Sequence, residues 1–348
     1  MNENKGEKKE TKKEKAKKKE TNNKHFPLNA RIKIINFDDE PELNGHIGRV
    51  KSKTRKAGYV KIVLQNRKET MRIPAECLEL CPLPMSVIGE QAREYIAARV
   101  RMISACDEDQ KSTDVSSIEK VGFNRSKRSS QMKGTEGGAC TSSLLKILYD
   151  HHQNNSSPKK DLSFGDIVKD MRKTLHSRGY QQTPQLSSSR PMHLTTPWEF
   201  VPTKNFSGNR RALIIGIRYM GMPWELPGTH NDCFNMISFL KRFHGFQDKD
   251  FTILMDDHTH TPPTRANILK AFRKFASECQ PHDAAYFHFS GHGGSVPDES
   301  GDETDGMDET LHPLDHLQAG EILDDEVYEE FILHLRDGVT LNAVVDSC

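Results

Sequence analysis

The chain has 348 residues, 28% charged and 34% apolar, and its 50 Lys and Arg nearly balance 49 Asp and Glu for a net charge of +1. That length predicts two or three domains, the low apolar share assigns part of the chain to tail and loop, and the charge balance argues against a dedicated nucleic-acid binder. No apolar stretch approaches the roughly 18 residues of a membrane span, no signal-peptide core opens the chain, and seven scattered cysteines do not form a disulfide framework, so a reducing intracellular setting is expected, cytoplasmic with the nucleus second.

Residues 1–25 are a Lys/Glu run, MNENKGEKKE through KAKKKETNNK, too poor in apolar side chains to offset the entropy of ordering; a disordered tail is expected. Within 26–83, RIKIINF (31–37), YVKIVL (59–64) and Met71–Ile73 read as short strands, with turn signals at Asn44-Gly45, Gly48 and Gly58. Short strands with Gly turns predict a small antiparallel β-barrel, similar to Src-homology-3-like barrels, to which no chemistry is assigned. Cys77 and Cys81 lack the partner pair that a zinc site needs.

The next segment, 90–205, offers a strand at Tyr95–Ile103, a polar loop at Ser104–Thr113, and helices at Thr141–Tyr149 and Phe164–Leu175. Thr141 or Ser142 is the expected cap of the first helix and Gly179 the stop of the second, while the polar stretch 107–138 is expected to be mobile. Segment 206–348 alternates strands (Ala212–Ile217, Phe251–Met255, Ala284–Phe289, Leu341–Val345) with helices (Asn231–Phe243, Pro263–Cys279). That order predicts an α/β fold, a mostly parallel sheet with helices on both faces and its chemistry at the carboxyl ends of the strands.

Two of those strand ends carry reactive residues. AAYFHF runs into Ser290-Gly291-His292-Gly293-Gly294, and LNAVV runs into Asp346-Ser347-Cys348. A lone His there is usually structural and a lone Cys usually buried and inert. Both at one sheet edge suit a Cys nucleophile with a His that shuttles its proton. On spacing and placement alone the structural and catalytic readings stand level. His258 and His260 sit in a Thr/Pro/Asp loop and read as surface, and Trp198 and Trp224 as packing residues.

FSGHGG and VVDSC, with DGMDE and ILDDE between them, resemble the metacaspase branch of the caspase-like cysteine peptidases; the caspase signature of QAC followed by Gly is absent. RALIIGIRY, LPGTHNDC and DFTILMDD resemble the large catalytic subunit, over 206–348. MISACDEDQKSTDV, GACTSSLLKIL and YQQTPQLSSSR resemble the small subunit, over 90–205. Small before large is the order of the type III metacaspases of algae and related protists. The matches cover about two-thirds of the chain and imply a caspase-like sheet to which both segments add strands.

The resemblance implies a calcium-activated thiol protease. Cys348 attacks the scissile carbonyl, His292 protonates the leaving amine, and the N–H groups of Gly293 and Cys348 bind the oxyanion. Asp232 and Asp346, with Ser290 beside them, fall where the family places an acidic pocket, which selects Arg or Lys before the cut bond and rejects aspartate. Asp308, Asp324 and Asp325 match carboxylate ligands of Ca²⁺, a hard cation that wants roughly six to eight oxygens; Asp302 and Asp305 lack EF-hand spacing. Thr229 stands where the family often has a pocket cysteine. The resemblance also implies protein or peptide substrates, no membrane, and a monomer. Family members continue beyond the nucleophile with His-Ser-Gly and a further calcium-binding aspartate, so the sequence ending at Cys348 is expected to be a piece of a longer protein. The alternative is a catalytically silent caspase-like scaffold that binds partners through its barrel and basic tail.

Overall fold

The computed structural model describes residues 31–44, 46–53, 59–64, 70–80, 95–106, 110, 112–123, 134–153, 162–201, 206–297 and 306–347, in two units divided between Ile88 and Gly89. The Lys/Glu tail, Cys81, Asp302, Asp305 and Cys348 lie outside the described residues.

In the first unit β1 (Arg31–Ile34), β2 (Ile47–Lys53), β3 (Tyr59–Leu64), β4 (Thr70–Pro74) and β5 (Leu78–Leu80) form one antiparallel sheet in the order β4-β3-β2-β1-β5. Alternation does the work in β3, where Val60, Ile62 and Leu64 turn inward onto Ile32, Ile34, Val50, Ile73 and Leu78. Strand β2 (IGRVKSK) had no sequence signal because its charges alternate with few apolar residues, and a register irregularity between Val50 and Ser52 breaks its period. Among the described residues no ladder joins β4 to β5, so the observed element is a five-stranded sheet.

The second unit is built on six strands in the order β11-β10-β12-β16-β6-β9. Strands β6 (Arg99–Ser104), β10 (Arg210–Gly216), β11 (Phe251–Met255), β12 (Ala284–Ser290) and β16 (Thr340–Asp346) run parallel, and β9 (Gln185–Ser188) adds antiparallel at one edge. Helices α1 (Ala139–Gln153), α2 (Phe164–Ser177) and α3 (Thr229–His244) cover one face, where Leu144, Leu148, Met171, Met236 and Phe239 meet Ile214, Tyr286 and Val344. Helix α4 (Arg265–Glu278) covers the other, its Phe272 stacked on Phe331 at 4.9 Å. Burial on both faces explains why the strands read as continuous apolar runs. Helix α2 is closed by a capping box, Ser163 with Asp166. Among the described residues no helix is long and apolar enough to cross a membrane. Among the described residues Cys140, Cys233 and Cys279 are buried and carry no disulfide, Cys77 is buried, and Cys106 is disulfide-bonded.

Three expectations shift. Strand β6 starts at Arg99 rather than Tyr95, because the carbonyls of Ile96 and Ala97 accept from the Arg190 guanidinium (2.8 and 2.9 Å) instead of a neighbouring strand. Helix α1 starts two residues before Thr141, whose hydroxyl is engaged elsewhere. The stretch 107–138 is not wholly loop: β7 (Asp114–Val115) pairs with β8 (Gly137–Gly138), and a 3₁₀ turn at Ile118–Val121 buries both end residues. A further small sheet follows β12: β13 (Gly293–Pro297), β14 (Met307–Leu311) and β15 (Ile322–Leu323), antiparallel, with short helices α5 (His316–Ala319) and α6 (Asp324–Val327) beside it.

Candidate active site

Parallel register lines up Gly216, Ser290 and Asp346 in one row across β10, β12 and β16, at their carboxyl ends. Asp232, in the first turn of α3, comes down onto that row, and Ser290 Oγ donates to its Oδ2 at 3.0 Å. Asp232, Ser290 and Asp346 are all buried. The small-subunit-like segment closes over them. Gly138 N–H donates to Asp232, while Thr141 N–H (2.9 Å), Thr141 Oγ1 (2.7 Å) and Ser112 Oγ (2.9 Å) donate to Asp346. These donors are all neutral. A Cβ on Gly138 would stand 2.2 Å from Asp346 Oδ2 and 2.8 Å from Asp232 Oδ2, so this close approach requires glycine.

A third carboxylate belongs to the cluster. Asp114 accepts from Gly228 N–H at 3.1 Å through Oδ2, while its buried Oδ1 has no hydrogen-bond partner among the described residues. Burial, followed by the charges of Asp346 and Glu136, lifts Asp114 to about 6. Burial, followed by the charges of Asp346 and Asp114, drives the Asp232 carboxyl well above the usual carboxylate range. Burial likewise raises Asp346 and outweighs its hydrogen bonds from Thr141 and Ser112. Among the described residues no cation bonds to these three carboxylates, and Asp114 and Asp232 are raised further by the charges of their neighbours.

His292 follows directly from this row. Its Nε2 lies 2.7 Å from the Trp224 carbonyl oxygen. A carbonyl only accepts, so Nε2 carries the hydrogen and Nδ1 presents a lone pair. Gly293, the next residue, packs against the end of β16: a Cβ there would lie 3.2 Å from the Ser347 side chain and 3.0 Å from the Thr310 carbonyl oxygen. The glycine after His292 thus touches the residue before Cys348. Cys106 reaches the same end, with Sγ 3.8 Å from the Ser347 carbonyl oxygen.

The carboxylates linked to calcium lie on adjacent elements. Asp308 is buried on β14, which pairs with β15 through Thr310↔Leu323, and Asp324 and Asp325 open α6 directly afterwards. Asp324 Oδ1 accepts from Asp325 N–H at 3.0 Å. Hard oxygen donors suit calcium, but among the described residues no group of three His, Cys, Asp or Glu side chains is arranged to hold a metal ion.

Sequence reasoning named Asp232, Ser290, Asp346, His292 and Gly293, and these sit together. It missed Asp114, Ser112 and Gly138, hidden in a stretch read as polar loop, and it read Thr141 as a helix cap. The STDV string was quoted for its resemblance, and its Asp is the signal that could have found the third carboxylate. Trp224 was read as packing; its carbonyl, which no side-chain pattern reveals, holds the imidazole.

A parallel sheet with a glycine-flanked histidine ending one strand and Asp-Ser-Cys ending its neighbour defines a caspase-like cysteine peptidase. The family model "Metacaspase, peptidase C14 domain" matches residues 210–348. Metacaspase III c of the diatom Phaeodactylum tricornutum is 42% identical over 257 residues, 73% of this chain and 73% of that protein. Metacaspase-1B and Metacaspase-1A of Aspergillus fumigatus are 46% and 45% identical over 41% and 50% of this chain, which spans 35% and 43% of their lengths. A crystal structure of a protein from Geobacter sulfurreducens aligns at 31% identity over 40% of this chain and 50% of that one, with a TM-score of 0.30, too low to bear on the fold. The chain belongs to the metacaspases, cysteine-type endopeptidases, and within them to type III.

Proposed function

We propose that this metacaspase is a calcium-activated endopeptidase that cuts after Arg or Lys by a Cys348–His292 dyad. The observation that carries the specificity is the buried Asp232–Asp346 pair, whose hydrogen-bond donors among the described residues are all neutral. Two carboxylates raised by burial, Asp232 also by the charge of Asp346, gain most from a cation placed between them, and a planar guanidinium can meet both. An aspartate before the cut bond would add a further negative charge, so the site rejects it.

With Nε2–H committed to Trp224, His292 takes the thiol proton of Cys348 on Nδ1. The thiolate adds to the scissile carbonyl carbon, and the oxyanion is received by the N–H groups of Gly293 and Cys348. The imidazolium then returns its proton to the leaving amine as the C–N bond breaks, leaving a thioester. Water, deprotonated by the same nitrogen, cleaves the thioester and regenerates the thiol. Asp308, Asp324 and Asp325 are the residues of this chain that would hold calcium; bound, the ion would neutralise and order the acidic end of the small sheet.

The test is cleavage of fluorogenic peptides ending in Arg, Lys or Asp, with and without calcium. Arg and Lys cleavage that needs calcium and vanishes in His292→Ala supports the reading. Cleavage after Asp, or no calcium dependence, overturns the corresponding part. A further arm is Asp324→Asn, which keeps the side-chain oxygen that Asp325 N–H uses but removes a charge; it should raise the calcium needed for half-activation by about tenfold.

A further inference from the structure

His292 stands directly opposite His312 when the β13–β14 register, Gly293↔Leu311, is continued by one residue. In an antiparallel pair of the hydrogen-bonded type, two such residues exchange both N–H···O bonds. Here one rung is direct: His312 N–H donates to the His292 carbonyl at 3.0 Å. The other rung has a phenol inside it. His292 N–H donates to Tyr219 Oη at 3.0 Å, and Tyr219 Oη–H donates to the His312 carbonyl at 2.6 Å. A side chain from the loop after β10 has been inserted into the ladder at the residue that carries the imidazole.

The insertion is held from behind. Tyr219 is fully buried and has φ of +55°, a left-handed conformation that costs energy for an aromatic residue. Its two neighbours fix it there: Arg218 N–H and Met220 N–H both donate to the Asp256 carboxylate, at 2.8 and 3.3 Å. The same carboxylate accepts from His230 Nε2 at 2.7 Å, tying the loop to the first turn of α3, where Asp232 sits. The Tyr219 ring also lies 4.9 Å from the His292 imidazole, centroid to centroid. Burial raises the phenol above its ordinary range, so its single proton stays committed to His312.

We infer that Tyr219 is a positioning residue of the peptidase: its hydroxyl replaces one rung of the ladder and sets the backbone from which His292 reaches the Trp224 carbonyl. This rests on the reading of His292 as proton carrier. Without the hydroxyl, His292 N–H and the His312 carbonyl face each other with a gap, and closing that gap pulls His292 toward β14 and away from Trp224. The imidazole then loses its fixed tautomer, and Nδ1 no longer aims steadily at the thiol.

The test is Tyr219→Phe, which keeps the ring and removes only the bridge. Two readouts are taken: steady-state cleavage of an Arg-terminated peptide, and the ring ¹⁵N shifts of His292, assigned by their loss in His292→Ala. The expected result is a fall in kcat of about 10–100-fold with KM within about twofold, and loss of the Nε2–H tautomer signature. Tyr286→Phe is the matched control, because the buried Tyr286 hydroxyl has no hydrogen-bond partner among the described residues and its loss should leave kcat unchanged. Unchanged kcat and unchanged ¹⁵N shifts in Tyr219→Phe overturn the inference. So does a fall in kcat that merely tracks the folded fraction measured by circular dichroism. If the wild-type protein fails to cut Arg peptides while Tyr219→Phe still releases the His292 tautomer, the peptidase reading falls and the positioning role stands.

Discussion

The backbone N–H of Gly138 donates to both carboxylate oxygens of Asp232, at 3.0 and 2.8 Å. One residue comes from the segment that resembles a small subunit, the other from the catalytic segment, and their bond ties the two together at the buried carboxylates. The carboxylate cluster is therefore a product of two parts of the chain.

Gly138→Ala should damage the site even though alanine adds one carbon. Its Cβ would fall 2.2 Å from Asp346 Oδ2, so the backbone must retreat and the bonds to Asp232 must lengthen. The expected outcome is at least about a tenfold loss in kcat/KM for Arg peptides, mostly in KM, measured beside a thermal melt. Wild-type KM in this variant would mean that the Gly138 contact does not shape the pocket.

Asp114 predicts a pH dependence. Its carboxyl is raised from 3.8 to about 6 in the folded chain, so the native state binds more protons than the unfolded state between those values. Its contribution to stability therefore falls as pH rises through that window and stays low above about 6. Affinity for a cationic side chain should move the opposite way, strengthening as the group ionises. In Asp114→Asn the amide oxygen can accept from Gly228 N–H, and the NH₂ occupies the place of the unpartnered Oδ1. That variant should melt a few degrees higher at pH 7 and lose the KM step near pH 6. A melt that is lower at pH 7 would contradict the repulsion argued for this cluster.

Thr141→Val removes one donor to Asp346 while keeping shape and the backbone N–H. Hydrogen bonds to charged groups contribute about 1.5–3 kcal/mol, so chemical denaturation should show a loss of that order, and the Asp346 carboxyl should move further up. An unaltered unfolding midpoint would show that water replaces the hydroxyl at no cost.

Much of this was legible before any coordinates. Phe251–Met255 reads as a strand and is one with the same bounds, because its apolar run is short and bounded by polar turns. Asp232, Ser290, His292 and Asp346 were found because each lies inside a motif. What stayed hidden was of a different physical kind. The Trp224 carbonyl and the Gly138 amide are backbone groups, which every residue has and no pattern marks. Tyr219 entered only as the last letter of RALIIGIRY, with no role assigned, and its left-handed turn has no glycine to announce it. Strand β9 (QLSS) is a short edge strand without apolar alternation, so only the resemblance touched it. The Thr141 signal was ambiguous: a threonine near a helix start is usually a cap, and here its hydroxyl serves a carboxylate 205 residues away.

The pairing of β6 with β16 runs from Thr340↔Arg99 to Val345↔Ser104, entirely by non-covalent bonds, and the Gly138 and Thr141 contacts add to it. In the sequence, the two segments are joined by the residues after Ser188, where β9 ends, and before Arg210, where β10 begins. Severing that connector would turn one chain into a fragment-complemented heterodimer without separating its halves. Trypsin-nicked protein kept in reductant, which opens the Cys106 disulfide, should thus elute from a sizing column as one particle and separate only in denaturant; two peaks under native conditions would refute this. For such a sheet, the order in which the segments are translated is a matter of genetics, while the order in which the strands lie is set by which buried faces fit.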